Sequence, residues 1–218
     1  MMKRIVVLIS GGGSNLQTIL DNCLSGEING RVEAVISNRP DAYGLVRAKR
    51  YGCEAITLDH KQFTSREAFD EQLQATIDEF SPDLVVLAGF MRILTPEFVQ
   101  AYLGKMINIH PSLLPKYPGL HTHKRALEAG DKEAGATVHF VTPELDGGPP
   151  ILQGKVPILP KDEELDLAKR VIAIEHVIYP KVVGWFCEER LTLAEGDVIF
   201  AGKTLQIPLT LDDTNATK

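Results

Sequence analysis

Apolar positions along this chain follow two rhythms. "RIVVLIS" (4–10) and "DLVVLAGF" (83–90) are apolar at most positions, and "RVEAVISN" (31–38) at half of them. That is the pattern of strands buried in a parallel sheet. Between them, apolar residues recur every three or four positions. Leu16, Ile19, Leu20 and Cys23 do so in "SNLQTILDNCL", and Phe69, Leu73, Ile77 and Phe80 in "FTSREAFDEQLQATIDEF". This spacing predicts helices with one inner face. "CEAITLD" and "KMINIH" read as further strands, and "DAYGLVRAKRYG" and "TPEFVQAYLG" as further helices. Gly52 stops the first of these helices and Pro96 opens the second. Thr64 with Glu67 matches a capping box.

After Gly119 the rhythm changes. "HTHKRALEAG" predicts a helix, and "GATVHFVT" and "ILQGKVPI" are strands close enough to pair antiparallel across "PELDGGPP". "KDEELDLAKRVIAIEHVIYPKVVGWFCEER" is a long helical stretch with an expected bend at Pro180. Short strands and a polar tail, "LDDTNATK", follow. Alternating strands and helices place the chain in the α/β class. The expected architecture is an open, mostly parallel twisted sheet with helices on both faces and antiparallel strands in the carboxyl-terminal part. No repeat, low-complexity run or linker divides it, so residues 1–218 are expected to form one domain.

Composition narrows the partners. With 218 residues and 44% hydrophobic content the chain can bury a substantial core. A net charge of −6 argues against non-specific binding to nucleic acid or anionic membranes. The apolar run near the start is shorter than the roughly 7–15 residues of a signal peptide. No stretch approaches the roughly 20 apolar residues of a membrane span. Cys23, Cys53 and Cys187 are odd in number and widely spaced, which fits reduced thiols and a cytoplasmic setting.

Four stretches carry candidate chemistry. "SGGGSNLQ" (10–17) sets three glycines between a strand and a helix. The backbone there can approach a ligand, and the helix start offers free N–H groups to a phosphate. A ligand-free turn needs fewer glycines. Asn108 and His110 lie two apart on a strand and so face one side. At the strand's carboxyl edge the amide can donate to a developing oxyanion and the imidazole can carry a proton. A buried polar pair satisfied by backbone would read the same way. Asp146, in "PELDGGPP", could pair with His110 and relay a proton, or could be a turn aspartate accepting backbone N–H groups. Arg92, flanked by Met91, Ile93 and Leu94, suits a ligand with an aromatic body and a carboxylate tail. Arg66 and Arg92 taken singly read first as surface salt bridges. His121 and His123 lack partners at metal-ligand spacing and suit hydrogen bonding beside a site. His139 alternates within its strand and is expected near the active face, whereas His60 and His176 read as structural or solvent-facing.

Together these stretches resemble the glycinamide ribonucleotide formyltransferases, the folate-dependent transformylases of purine synthesis. "VVLISGGGSNLQ", "VVLAGFMRIL", "INIHPSLLPKYPGLHTHKRALEAG", "GATVHFVTPELDGGPPILQ" and "EHVIYP" occur in family order over roughly residues 4 to 190. The resemblance implies a Rossmann-like formyltransferase domain, with residues 1–110 as a nucleotide-binding half and 111–218 as a folate-binding and completing half. It implies that Asn108, His110 and Asp146 form the catalytic set. Gly13, Ser14 and Asn15 would hold the ribonucleotide phosphate and Glu175 the ribose. Met91, Arg92, Ile93, Leu94, Asn108 and the loop Thr142, Pro143, Glu144, Leu145 and Asp146 would border the folate, with Arg66 and Arg92 meeting its glutamate tail. The donor implied is 10-formyltetrahydrofolate, with no metal, in a monomer or homodimer acting on small molecules. A cis peptide before Pro115 is implied as well. Gly12 departs from relatives that carry Asn or Arg there, which would loosen the phosphate loop.

Two other enzymes and one non-enzyme share parts of this pattern. A formyltetrahydrofolate deformylase would use water as acceptor and is expected to carry an amino-terminal regulatory domain. A methionyl-tRNA formyltransferase is expected to carry a basic carboxyl-terminal domain. A non-catalytic nucleotide- or folate-binding module would not need Asn108, His110 and Asp146 together.

Overall fold

In the computed structural model, which describes residues 1–215, β1 (Lys3–Ile9) runs through the centre of the sheet. Ile5 to Ile9 are all fully buried. Ile5, Val7 and Ile9 face one core, and Val6 and Leu8 face the other. Burial on both sides explains why the strand reads as an unbroken apolar run.

The chain continues through α1 (Ser14–Ser25), β2 (Gly30–Ser37), α2 (Gly44–Arg50), β3 (Glu54–Thr57), α3 (Arg66–Asp78), β4 (Leu84–Leu87), α4 (Pro96–Ala101) and β5 (Met106–His110). It goes on through α5 (Thr122–Glu128), β6 (Glu133–Phe140), β7 (Pro150–Pro157), α6 (Glu164–Cys187), β8 (Leu191–Ala194), β9 (Asp197–Phe200), β10 (Lys203–Thr204), β11 (Leu209–Thr210) and α7 (Leu211–Asn215). The main sheet has eight strands in the order β11-β7-β6-β5-β4-β1-β2-β3, and β8, β9 and β10 form a small second sheet. Pairs β1·β2, β1·β4, β2·β3, β4·β5 and β7·β11 are parallel, whereas β5·β6 and β6·β7 are antiparallel. The mostly parallel α/β sheet with an antiparallel carboxyl-terminal part is therefore the architecture that the pattern predicts. Of the polar tail, Leu211–Asn215 is helical, and 216–218 lie outside the described residues.

Phe69, Leu73 and Ile77 of α3 pack under one face with Phe98 of α4. Leu16, Ile19 and Leu20 of α1 pack under the other with Leu167, Val171, Ile178 and Val182 of α6. One core thus joins the first and second halves of the chain. Helix α6 continues through Pro180, which is buried inside it. Helix α3 starts one residue later than the capping-box spacing predicts. Ser65, in extended backbone, is the cap, and its hydroxyl accepts from Ala68 N at 3.0 Å. The helix ends at Asp78, leaving Phe80 beyond it. The Leu114–Pro115 peptide is cis. Cys23 and Cys53 are half-buried free thiols and Cys187 is buried. Burial pushes all three up, Cys23 to about 11 and Cys187 to about 12.

Candidate active site at the carboxyl edge of the sheet

β1 lies between β4 and β2. The chain leaves β1 for β2 on one side and leaves β4 for β5 on the other, so a crevice opens between the carboxyl ends of β1 and β4. Three candidate segments meet this edge: Gly11 to Asn15 after β1, Met91 to Leu94 after β4, and Asn108 with His110 at the end of β5. Ser10 ties the first two together. Its hydroxyl donates to Asn38 Oδ1 at 2.5 Å and accepts from Met91 N at 2.7 Å. Its own N–H donates to the Gly89 carbonyl at 3.1 Å.

The glycine turn presents an anion site. Gly13 has φ 72°, in the left-handed region that glycine adopts freely. Helix α1 begins without a side-chain cap and without an acidic residue in its first turn. Its first N–H groups and positive dipole end are therefore available to a phosphate. The loop is braced from outside: Arg47 Nε donates to the Gly12 carbonyl and Arg47 Nη1 to Gln17 Oε1, each at 2.8 Å. Gly44 N donates to the Gly11 carbonyl at 3.1 Å. The departure at Gly12 thus leaves a loop held through its carbonyls. Asn15, buried behind the loop, donates from Nδ2 to Glu175 Oε2 at 2.8 Å, while Asn15 Oδ1 is buried without a partner. Burial pushes the Glu175 carboxyl up, and the Asn15 hydrogen bond partly offsets this. Ser14 is exposed at the mouth.

Gly44 is packed too tightly for a side chain. A Cβ there would sit 2.3 Å from Ile9 Cδ1 and 3.4 Å from both Gly13 Cα and the Gly11 carbonyl. Gly44→Ala is expected to destabilise the fold by about 1–3 kcal/mol, the usual cost of overpacking, and to weaken anion binding at the glycine turn. Urea unfolding and phosphate titration measure the two effects, and wild-type values in both would refute this account of the loop.

The second cluster gathers Asn108, His139, His110 and Asp146 at the end of β5. Asn108 pairs in register with His139 across β5 and β6. Burial pushes His139 down, which favours the neutral ring. Its Nδ1–H donates to the Phe140 carbonyl at 2.8 Å, so Nε2 is left to accept from Asn108 Nδ2 at 3.3 Å. The second N–H of the Asn108 amide remains for a ligand. His110 Nε2 lies 2.8 Å from the Tyr117 carbonyl. A carbonyl can only accept, so Nε2 carries a proton. His110 Nδ1 faces Asp146 Oδ2 at 3.5 Å, with both side chains more than nine-tenths buried. Asp146 sits at φ 51°, and its Oδ2 also accepts from Gly119 N at 2.8 Å.

On the remaining side Met91, Ile93 and Leu145 are more than half exposed, Leu94 and Thr142 are half-buried, and Pro143 and Glu144 are exposed. These segments offer exposed apolar side chains beside the end of the sheet. Arg92 is half-buried, its guanidinium 4.6 Å from the centre of the Phe69 ring. Arg66 is exposed at the first position of α3. Among the described residues no three His, Cys, Asp or Glu side chains group as a metal site, and no helix is long and apolar enough to cross a membrane.

Sequence reasoning missed the Tyr117 carbonyl and the Gly119 N–H, which act through backbone and leave no mark on residue identity. It also missed Arg47, which braces the glycine turn. His139 was recognisable from strand alternation, but its pairing with Asn108 needs the hairpin register.

The family model described as formyl transferase matches residues 3–183. The chain is 57% identical over 201 residues to the phosphoribosylglycinamide formyltransferase of Escherichia coli (strain K12), covering 92% of this chain and 95% of that one. It is 50% identical over 204 residues to the enzyme of the same name from Haemophilus influenzae, covering 94% and 96%. Among solved structures, the phosphoribosylglycinamide formyltransferase of Coxiella burnetii superposes with a TM-score of 0.91 at 48% identity, over 96% of this chain and all of that one.

Proposed function

The chain belongs to the formyl transferase family, and on that premise we propose that it moves the formyl group of 10-formyltetrahydrofolate to the amine of 5′-phosphoribosylglycinamide. The products are 5′-phosphoribosyl-N-formylglycinamide and tetrahydrofolate, in purine synthesis. The observation that carries this reading is the 3.5 Å approach of Asp146 to His110 Nδ1, beside an Asn108 amide with a free N–H. A binding module has no use for that trio.

In this reading the substrate phosphate sits on the N–H groups at Gly13, Ser14 and Asn15, and Glu175 holds the ribose. The glycinamide nitrogen attacks the formyl carbon, and the carbonyl oxygen becomes an oxyanion. Asn108 donates to it from the N–H that His139 leaves free, and His110 stabilises it from Nδ1. The ring cannot turn without giving up the Tyr117 carbonyl, so Nδ1 is the nitrogen presented to the reacting centre. Asp146 lies close enough to exchange a proton with His110 directly or through one water. A proton passes from the attacking amine by way of this pair to the folate nitrogen, as the oxyanion collapses and the bond between the formyl carbon and that nitrogen breaks. Met91, Ile93, Leu94 and the loop Thr142 to Asp146 border the pterin, and Arg66 and Arg92 meet the glutamate tail. Residues 1–110 thus chiefly hold the nucleotide and 111–218 complete the folate pocket, with Met91–Leu94 and Glu175 crossing over. The activity calls for no metal and suits a cytoplasmic monomer or homodimer.

The test mixes purified protein with 10-formyltetrahydrofolate, with and without phosphoribosylglycinamide, and follows tetrahydrofolate. Release is expected only with the nucleotide. Equal release without it would instead mean deformylation, and no release in either mixture would mean a binding module.

A further inference from the structure

Asp70 is an acid in the wrong place for a solvated helix face. It is 3% exposed, beside Phe69 in the core under α3. Its Oδ2 accepts from Thr95 N at 2.6 Å, and Thr95 in turn caps α4, its hydroxyl accepting from Phe98 N at 3.3 Å. Its other oxygen, Oδ1, is buried and has no hydrogen-bond partner. A second orphan lies on the segment that Asp70 moors. Arg92 Nε is also buried and unpartnered, and its guanidinium lies over the ring of Phe69, the residue before Asp70. The turn from Arg92 to Thr95 is therefore held at one end by a ring and at the other by a carboxylate, both from the first turns of α3. The charges of Arg92 and Arg66 each act on the Asp70 carboxyl, which burial pushes up and the Thr95 contacts pull back.

Two complementary orphans, an acceptor and a donor, are costly to leave buried. The Arg92 guanidinium thus keeps a donor that its neighbours do not take up. We propose that Asp70 is the positioning residue for Arg92: it anchors the Arg92–Thr95 turn, and its buried negative charge aims the guanidinium, edge outward, at the carboxylate of the formyl donor. The inference rests on the reading above, in which Arg92 meets the glutamate tail. It adds that discrimination between donors with and without that glutamate is set from beneath the loop, by a residue that never touches the donor. The fork geometry of arginine makes such aiming consequential, because two parallel hydrogen bonds form only in one plane.

The experiment compares 10-formyltetrahydrofolate with 10-formyltetrahydropteroate, which lacks the glutamate, at saturating nucleotide. Asp70→Asn keeps the shape and an oxygen for Thr95 N but removes the charge. It is expected to raise the KM of the glutamate-bearing donor about tenfold, as loss of one charged hydrogen-bond partner does. The KM of the truncated donor and the kcat of both should stay within about twofold, roughly 0.4 kcal/mol. If the asparagine variant folds poorly, Asp70→Ser is read through the ratio of the two donors' KM values, because it also gives up Thr95 N, and that ratio should shift about tenfold. An equal rise for both donors, or no rise for either, overturns the proposal. Arg92→Ala tests the underlying reading separately. If it leaves the preference for glutamate intact, the assignment of Arg92 falls and this proposal with it. If it abolishes the preference and Asp70→Asn does not, only the role of Asp70 falls.

Discussion

His110→Ala is expected to lower kcat by about two to four orders of magnitude, the range in which a positioned acid–base group contributes. The affinity for phosphoribosylglycinamide should hardly change. The asymmetry comes from what each group touches. His110 contacts the Tyr117 carbonyl and faces Asp146. The elements proposed to hold the nucleotide are a different set: the glycine turn, the start of α1, and Asn15 paired with Glu175. Asp146→Asn should give a loss of the same order, because an amide cannot take the proton that a carboxylate takes. The two residues act as a unit, so the double variant should be little worse than either single one. Stopped-flow turnover with calorimetric nucleotide titration measures both quantities. Near-normal turnover in both single variants would remove the assigned roles, and losses that multiply would show that the two act separately.

Asn108→Ala carries the second large effect, about 10²–10³ in kcat or ~3–4 kcal/mol, the scale set by removing one oxyanion donor elsewhere. The change also strips His139 Nε2 of its partner at 3.3 Å. His139 is held in place by its other nitrogen on the Phe140 carbonyl at 2.8 Å, so the hairpin should survive. Thermal unfolding within a few degrees of wild type would confirm that the loss is chemical. A variant with unchanged kcat and a raised donor KM would instead make Asn108 a binding group with no special hold on the transition state.

How far the chain could be read before its structure depends on where the information lies. Burial on both faces leaves an unmistakable trace, and β1, β2 and β4 were legible for that reason. Asn108 and His110 were legible because two positions on a strand share a side whatever the rest of the fold does. Asp146 was legible as a candidate partner of His110 or a turn aspartate, and only the resemblance chose between the two. Its approach to His110 depends on a left-handed residue and on a backbone N–H at Gly119, neither visible in a one-letter string. The cap of α3 was misread by one residue because Thr64 and Ser65 are equally good caps in isolation, and the extended backbone at Ser65 decides between them. Asp70 follows Phe69 on the same helix and looks solvent-bound by type. Only the closing of the Arg92–Thr95 turn over it makes it interior.

Helix α6 also bears on how the active enzyme comes into being. Glu175 reaches Asn15 behind the glycine turn. One turn later the Tyr179 hydroxyl lies 2.6 Å from the Leu87 carbonyl and 3.2 Å from that of Ile107, the residue before Asn108. In the proposed reading a single rod, α6, thus spans both substrate pockets and fixes their separation. A nascent chain that has not yet produced this rod can assemble neither pocket in working order, so competence should arrive late and all at once.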